Sequence, residues 1–180
     1  MSEQDPFSTI MSSIDTPLIV VTTGNDTDGV REWGGCLVGF HAQSSIEPER
    51  YCVWLSKANH TARVAQRSTH LALHFLTADD LELAERFGTL TGDRDDKFAG
   101  LRTETGPGGV PVLVDLPHRL VVRRTSLLDE GGDHLCLATE PVSAVAGDPF
   151  TPLRLSDAAH LTPGHEAEER HAPPTERAAG

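Results

Sequence analysis

The chain has 180 residues, of which 38% are hydrophobic and 5% aromatic, so it suits one domain with a mainly aliphatic core. Its formal net charge of −12 disfavours non-specific binding to nucleic acid or to an anionic membrane, because both require a positive field. No apolar run approaches the ~20 residues that span a bilayer, and the first residues show no secretory signal pattern. We therefore expect a cytoplasmic protein that binds neither nucleic acid nor membrane.

The cysteines and histidines give no pattern of a metal site. Cys36, Cys52 and Cys136 are widely spaced among apolar neighbours and form no CxxC pair. Such an odd set is typical of buried free thiols in a reducing compartment. The nine histidines never occur as HxH or HExxH, and no GxSxG or GxxxxGK[ST] motif is present. A metal centre, a serine hydrolase elbow and a P-loop are therefore not predicted.

The first part of the chain predicts one short helix and three strands. Apolar side chains recur on one side of a helix at 6–14. β-Branched and apolar runs then predict strands at 17–23, 36–45 and 50–56. The residues between the first two strands are rich in Gly, Asn and Asp and indicate a hairpin loop.

The second part of the chain predicts two further helices among strands. Asn59 is a suitable N-cap for a helix that ends near Gln66, and the apolar spacing indicates another helix over 78–88. A polar loop follows this helix. Strands are predicted at 70–77, after the turn at 106–109, at 119–129 and at 134–145.

These elements add up to six or seven strands with two short inserted helices, which indicates a mainly β fold of the barrel type. The composition changes at Thr151, after which Pro, Ala, Glu and His are frequent and periodicity is weak. We therefore predict a domain over 1–150 and a polar C-terminal extension over 151–180. The extension is expected to be partly disordered, with about its last 15 residues mobile.

One stretch gathers hydrogen-bond donors where a strand leads into a helix. Ser56, Lys57, Asn59 and Thr61 lie in "LSKANHTARVAQ", close to the predicted helix N-terminus. Free backbone N–H groups and the helix dipole make such a terminus a natural anion site, so the stretch suits a phosphate. The residues alone equally allow a simpler interpretation, in which Asn59 only caps the helix and Lys57 is solvated.

Two glycine-containing segments suggest contacts with a flat ligand. In "GGCLVGFHAQSS", Gly34, Gly35 and Gly39 would let a planar group approach the backbone. In "EGGDHLCLA", a turn precedes His134, which could bind an anion, orient a nicotinamide or transfer a proton. The simpler alternative for the first segment is an ordinary core strand after a hairpin turn. The simpler alternative for the second segment is a surface histidine.

Taken in chain order, these segments resemble the flavin reductase-like family, the FMN-binding split barrels. The resemblance covers about Ser13 to Val145 and rests on five segments: "TPLIVVTTG", "GGCLVGFHAQSSIEP", "VWLSKANHTARVAQRSTHLALHFLT", "LAERFG" with "DKFAG", and "GDHLCLATEPVSAV". It implies a six-stranded split β-barrel, a homodimer, and FMN bound near the subunit interface. It also implies reduction of this flavin by NAD(P)H, with the reduced flavin passing to a partner oxygenase or an electron acceptor.

The resemblance also implies a set of site residues. Four residues should face the flavin ring, mainly through their backbone: Cys36, Leu37, Val38 and Gly39. Five should bind the phosphate or the ribityl chain: Ser56, Lys57, Asn59, Thr61 and, in the Asp-Lys-Phe element, Lys97. His134, in the Gly-Asp-His element, should lie where the nicotinamide approaches and is the one residue assigned to catalysis.

The flavin strand departs from the family pattern and keeps other functions open. Many relatives carry Thr-Ala-Ser-Ser where this chain has Cys36-Leu37-Val38-Gly39. The hydroxyl contacts are therefore lost, and backbone contacts must supply more of the flavin binding. One alternative is an FMN-binding electron carrier or sensor without reductase activity. Another is a split barrel that holds a deazaflavin or haem. The sequence does not choose between NADH and NADPH, or between FMN and FAD.

Overall fold

The computed structural model describes residues 5–162 and Gly164, and its fold is mainly β. The nine strands are β1 Ile19–Thr27, β2 Val30–Val38, β3 His41–Ser45, β4 Arg50–Ser56, β5 His70–Phe75, β6 Thr103–Thr105, β7 Pro111–Leu113, β8 Arg119–Leu128 and β9 His134–Val145. The α-helices are α1 Pro6–Ser13, α2 His60–Arg67 and α3 Leu81–Thr89, and short 3₁₀ turns occur at Ala78–Asp80 and Pro107–Gly109.

Seven of the strands form one antiparallel sheet that curls into a barrel. The strand order is β2-β1-β5-β8-β9-β4-β3, and β6 and β7 form a separate pair. The two edge strands, β2 and β3, are consecutive in the chain and are separated only by Gly39 and Phe40. Because so short a link must join opposite edges of the sheet, the sheet has to roll up until these edges meet. The backbone N–H of Trp54 in β4 donates to the Phe40 carbonyl at 2.9 Å, which extends the β3–β4 pairing by one residue into this link.

The mainly β class is confirmed, but the sheet has seven strands instead of the predicted six, and six of the seven build the barrel core. The inward side chains are Ile19 and Val21 of β1, Cys36 and Val38 of β2, Val53 and Leu55 of β4, Leu71 and Leu73 of β5, Val122 of β8, and Leu135 and Leu137 of β9. Ala62 and Ala65 of α2 join the same cluster. β3 adds no residue to it and extends the sheet at its edge.

Two predicted boundaries within the first strands differ from the structure. The segment predicted as a hairpin loop at 24–35 is mostly strand, because β1 and β2 stay paired up to Thr27 and Val30. Its turn is only Asp28 and Gly29, which have φ of 54° and 77°. The polar residues next to this turn pair beyond the barrel core, and their side chains are exposed to solvent. The single strand predicted at 36–45 is divided at Gly39 into β2 and β3, which pair with different neighbours.

The helices lie outside or at the end of the barrel. α2 is amphipathic and buries Thr61, Ala62, Val64 and Ala65. α3 buries Ala84 and Phe87 against a second apolar cluster on the outer side of β1. α1 buries none of its residues.

The residues that follow β9 pack on the barrel as far as Leu161. Leu153 is 1% exposed and lies between two strand ends, where its carbonyl accepts from the Leu18 N–H at 2.8 Å and its own N–H donates to the Leu76 carbonyl at 2.9 Å. Ala158 belongs to the same buried cluster. The predicted domain boundary at 150 therefore falls before a segment that completes the core. The terminal residues that we predict to be mobile lie outside the described part of the chain.

Within residues 5–162, every helix is too short or too polar to cross a lipid bilayer.

Candidate flavin site

A cavity of about 360 Å³ lies at the seam where β2 gives way to β3. Its volume is within the ~300–1,000 Å³ typical of small-molecule sites. Its lining includes residues 36–40 of the seam, the ends of β4 and β9, the end of α3, and the segment after Thr151. Among the described residues, this lining contains no Asp, Glu, Lys or Arg. The cavity therefore suits a largely uncharged group.

A polar part of the lining comes from β4, β9 and the start of α2. Ser56 and His134 are cross-strand partners, so their side chains share a face of the sheet, and Asn59 follows within the same turn. The His134 Nδ1 lies 2.6 Å from the Asp133 carboxylate. The His134 ring lies 5.1 Å from the ring of Phe40, and both rings line the cavity. This part of the cavity offers a carboxylate-oriented imidazole beside hydrogen-bonding side chains.

An apolar part of the lining comes from β2, α3 and the C-terminal segment. Its side chains are Leu18, Leu37, Phe87, Leu155, Ala158 and Leu161, joined by Gly88. A Cβ on Gly88 would lie 3.1 Å from Leu37 Cδ2 and 3.9 Å from Leu161 Cδ1. The absence of a side chain on Gly88 thus lets Leu37 pack closely against the backbone of α3. An aromatic ring could be buried here without loss of hydrogen bonds.

All four predicted ring-facing residues line this cavity, but they point in two directions. Cys36 and Val38 belong to the barrel core, whereas Leu37 packs outward against the α3 cluster. Gly39 lies close to Leu18 and Thr16. Burial raises the pKa of the Cys36 thiol, which is 2% exposed, and the nearby Lys97 ammonium opposes this shift only in part. The thiol therefore stays protonated at neutral pH.

The predicted phosphate residues are not all brought to the cavity. Ser56 and Asn59 line it, whereas Lys57 and Thr61 lie outside the lining. The Lys57 ammonium binds the Asp129 carboxylate at 2.6 Å, and this contact lowers the pKa of Asp129. Asn59 caps α2, since its Oδ1 accepts from the Thr61 N–H at 3.2 Å.

Thr61 carries a buried hydroxyl without a hydrogen bond. The residue is 1% exposed, and among the described side chains its Oγ1 is the one buried polar atom that meets no hydrogen-bond partner. It lies near enough to the Cys36 thiol to lower that pKa slightly, but the two groups are not in hydrogen-bonding geometry. A buried hydroxyl left unsatisfied costs free energy, and the described residues at the start of α2 supply no polar partner for this side chain.

Lys97 is a buried structural residue in this conformation. Its side chain is 3% exposed, and its ammonium donates to the carbonyls of Gly35 at 3.0 Å and Phe87 at 3.1 Å. It does not line the seam cavity. The sequence predicted that Lys97, in the Asp-Lys-Phe element, contacts the phosphate or the ribityl chain. The position of Lys97 between β2 and α3 depends on tertiary packing, which local sequence patterns do not report.

A second cavity of about 390 Å³ lies along the loop at 92–98. Its lining carries the three carboxylates of Asp93, Asp95 and Asp96 against the two cations of Arg94 and Lys97, so its net charge is negative and disfavours a phosphate. Asp93 is held by Arg63, with Nη2–oxygen distances of 2.5 and 2.7 Å, and this contact is the main cause that lowers the pKa of Asp93. We therefore assign the candidate site to the cavity at the seam.

Several lining residues could not be recognised from local patterns. Phe40 and Trp54 carry no motif signal beyond their place in a strand pattern, and Thr16 precedes the first predicted strand. Leu155, Ala158 and Leu161 lie in the segment expected to be a polar extension. Their three-residue spacing was the available signal. Within residues 5–162, no group of three or more His, Cys, Asp or Glu side chains is placed to hold a metal ion.

The comparison with protein families agrees with this geometry. The model of the "Flavin reductase like domain" matches residues 11–158. This chain belongs to the flavin reductase-like family. The match extends into the packed segment that follows β9, beyond the predicted boundary at 150.

One curated relative and two solved structures are similar to this chain over much of its length. The high molecular weight rubredoxin of Moorella thermoacetica is 30% identical over 115 residues, which are 61% of this chain and 49% of that protein. This chain thus spans about half the length of that curated relative. The NADH:FAD oxidoreductase SgcE6 of Streptomyces globisporus C-1027 superposes with a TM-score of 0.71 at 19% identity, covering 86% of this chain and 92% of SgcE6. The flavin reductase HpaC complexed with NADP+ gives 0.68 at 22% identity, with coverages of 82% and 90%.

The seam cavity combines an apolar part with a polar part that contains Ser56 and Asn59. An apolar ring system suits the first part, and hydrogen-bonding atoms suit the second. The unsatisfied Thr61 hydroxyl and the N-terminus of α2 lie beyond Asn59, and Lys57 is adjacent in sequence. These groups match a chain that ends in an anion.

Proposed function

We propose that this protein is an NAD(P)H-dependent flavin reductase that uses FMN. The observation that carries the proposal is the bipartite cavity at the seam, with apolar side chains in one part and Ser56, Asn59 and His134 in the other. Family membership supports it, as does the likeness of the fold to an NADH:FAD oxidoreductase and to a flavin reductase complexed with NADP+.

In this proposal, each part of the lining has its own role. The backbone at Cys36 to Gly39 would hydrogen-bond the polar edge of the ring, because the side chains there are unsuited to do so. Ser56 and Asn59 would bind the chain and its phosphate, with Lys57 supplying positive charge. His134, oriented by Asp133, would position the nicotinamide beside the ring. When bound, the flavin supplies the hydride-accepting chemistry that no side chain can provide.

Two further features belong to the same proposal. A homodimer would cover apolar side chains that are exposed in the single chain, such as Phe40 and the α1 residues Phe7 and Ile10. An oxygenase or another acceptor would take electrons from the reduced flavin. Among the described residues, we identify no recognition element that is specific for the second subunit or for the electron acceptor.

A binding titration and a turnover assay together test the function. Purified protein is titrated with FMN, and quenching of flavin fluorescence reports binding. NADH and NADPH are then added separately, and the loss of nicotinamide absorbance is compared with FMN alone. We expect FMN binding and a protein-dependent oxidation of at least one nicotinamide. Failure to exceed the rate without protein would refute the reductase proposal.

A second candidate is an FMN-binding electron carrier without reductase activity. The 30% identity over 115 residues with a protein named high molecular weight rubredoxin is compatible with it. The altered residues Cys36-Leu37-Val38-Gly39 on the flavin strand favour it as well. Tight FMN binding without nicotinamide oxidation, combined with reduction of the bound flavin by a partner electron-transfer protein, would select this alternative.

A further inference from the structure

We propose that the segment Leu155–Leu161, here called the C-terminal wall, contacts the flavin ring, and that Ala158 sets the depth of the apolar part of the site. The inference rests on the proposed flavin site and goes beyond it by assigning a specificity-determining residue outside the strands and helices of the barrel. The ligand class is a planar, uncharged aromatic edge such as the dimethylbenzene end of the isoalloxazine.

The wall is attached firmly enough to act as part of a binding site. The Asp15 carboxylate accepts from the Ser156 N–H at 2.9 Å and from the Ser156 hydroxyl at 2.8 Å, and these bonds lower the pKa of Asp15. The Arg154 guanidinium donates to the Asp15 carbonyl at 2.7 Å. The Leu155 N–H donates to the Thr16 carbonyl at 2.9 Å. The start of the wall is therefore held by the segment that leads into β1, and near its far end the His160 Nε2 lies 3.0 Å from the Glu85 carboxylate of α3.

Local backbone geometry decides which side chains of the wall face the cavity. The N–H groups of Ala158 and Leu161 donate to the carbonyls three residues earlier, at 3.2 and 3.0 Å. Turns of this kind place residues three apart on the same side. Leu155, Ala158 and Leu161 accordingly all line the cavity, whereas the neighbouring Ala159 is exposed.

The wall faces apolar groups, which defines the chemistry of the ligand part that fits there. Ala158 is 6% exposed and shares a buried cluster with Phe87, and Leu161 approaches Gly88 of α3. No charged side chain of the described residues lines this part of the cavity. An apolar ring edge is stabilised there by burial, whereas a phosphate would lose its hydration without compensation.

Ala158 has a matched control in the next residue. A phenylalanine at 158 would project into the cavity, while one at 159 would project into solvent. We expect Ala158→Phe to weaken FMN binding by about tenfold or more, because the larger side chain would occupy space that the ring needs. Ala159→Phe should stay within about twofold of the original protein, since exposed substitutions have small effects.

The experiment uses full-length protein and two probes, FMN and riboflavin, which share the ring but differ in the phosphate. A contact to the ring predicts that Ala158→Phe weakens both ligands by a similar factor. Circular dichroism and the thermal midpoint report whether each variant is folded. If Ala158→Phe does not fold, Ala158→Val replaces it, with an expected loss of roughly threefold in both affinities.

The outcomes separate this inference from the proposed function. If the unaltered protein binds neither FMN nor riboflavin, the flavin function itself fails. If it binds FMN while folded Ala158 variants bind both ligands as tightly as Ala159→Phe does, the wall does not contact the ring and the inference is overturned. A loss confined to FMN would also overturn it, because such a result would place Ala158 at the phosphate.

Discussion

The ammonium of Lys97 is hydrogen-bonded to the carbonyl oxygen of Gly35 at 3.0 Å, immediately before the strand segment that lines the cavity. Its second bond, to the Phe87 carbonyl, joins that strand to the end of α3. A Cβ on Gly35 would come within 2.5 Å of the Phe87 ring, so strand and helix are in direct contact here. Lys97 therefore acts on the site by holding two of its walls together.

Replacement of Lys97 by Met should destabilise the protein. Two buried carbonyls would lose their donor, which costs about 1–3 kcal/mol in the free energy of unfolding by urea. Affinities for FMN and riboflavin should fall by similar factors, because the strand under the ring loses its support. In the unfolding measurement only, Lys57→Met serves as the control for removing a more exposed lysine. A loss of FMN affinity alone, with riboflavin binding unchanged, would instead indicate that Lys97 contacts the phosphate.

The Lys57–Asp129 ion pair should modulate phosphate affinity. Both side chains are partly exposed, so the pair competes only moderately with a ligand for the Lys57 charge. We expect Asp129→Asn to strengthen FMN binding by roughly two- to fivefold and Lys57→Ala to weaken it by a similar factor. Riboflavin binding should change in neither variant, and both FMN effects should shrink at high salt. Equal effects on riboflavin would rule out a role at the phosphate.

His134 should affect the nicotinamide more than the flavin. Its ring is oriented by the Asp133 carboxylate at 2.6 Å and lies beside Phe40 at the cavity. His134→Ala removes one polar contact, so the KM for the nicotinamide should rise by up to about tenfold while the Kd for FMN changes little. Asp133→Asn should give a smaller change in the same direction. A larger effect on FMN than on the nicotinamide would contradict the assigned role.

His74 should make the stability of the protein depend on pH in the mildly acidic range. This side chain is buried, its Nε2 accepts from the Leu113 N–H at 3.0 Å, and burial lowers its pKa from 6.5 to about 4. The unfolded chain binds a proton below pH 6.5 and the folded chain only near pH 4, so stability is complete above 6.5 and is lost as the pH falls towards 4. The free energy of unfolding should decrease by about 3 kcal/mol over this pH range.

Urea unfolding at several pH values checks this prediction. His74→Gln keeps an acceptor for the Leu113 N–H but cannot be protonated in this range, so its stability should vary less with pH than that of the unaltered protein. His160→Gln, at an exposed histidine, should follow the unaltered protein closely. Parallel pH profiles for all three proteins would exclude His74 as the cause.

Local patterns identified most strands, the N-cap at Asn59 and the mainly β class. They failed at Gly39, because "CLVGFHAQSS" is continuously compatible with a strand and only the pairing partners divide it. They also failed at 24–35, where the polar residues indicated a loop. Strands that project beyond the core can carry such residues, and this segment is mostly strand. In both cases the deciding contacts are between segments distant in the sequence.

The amino-acid sequence by itself determined the β-rich class, the helix start at Asn59 and the ordered motifs of the flavin reductase-like family, because backbone preferences, capping and hydrophobic periodicity act between near neighbours. Only the tertiary structure decided that Lys97 bonds to Gly35 and that Ala158 lines the cavity. Lys97 is 62 residues from Gly35 in the chain, and the wall is anchored to Asp15 across 141 residues. Such contacts form only when the barrel closes and brings these distant segments together.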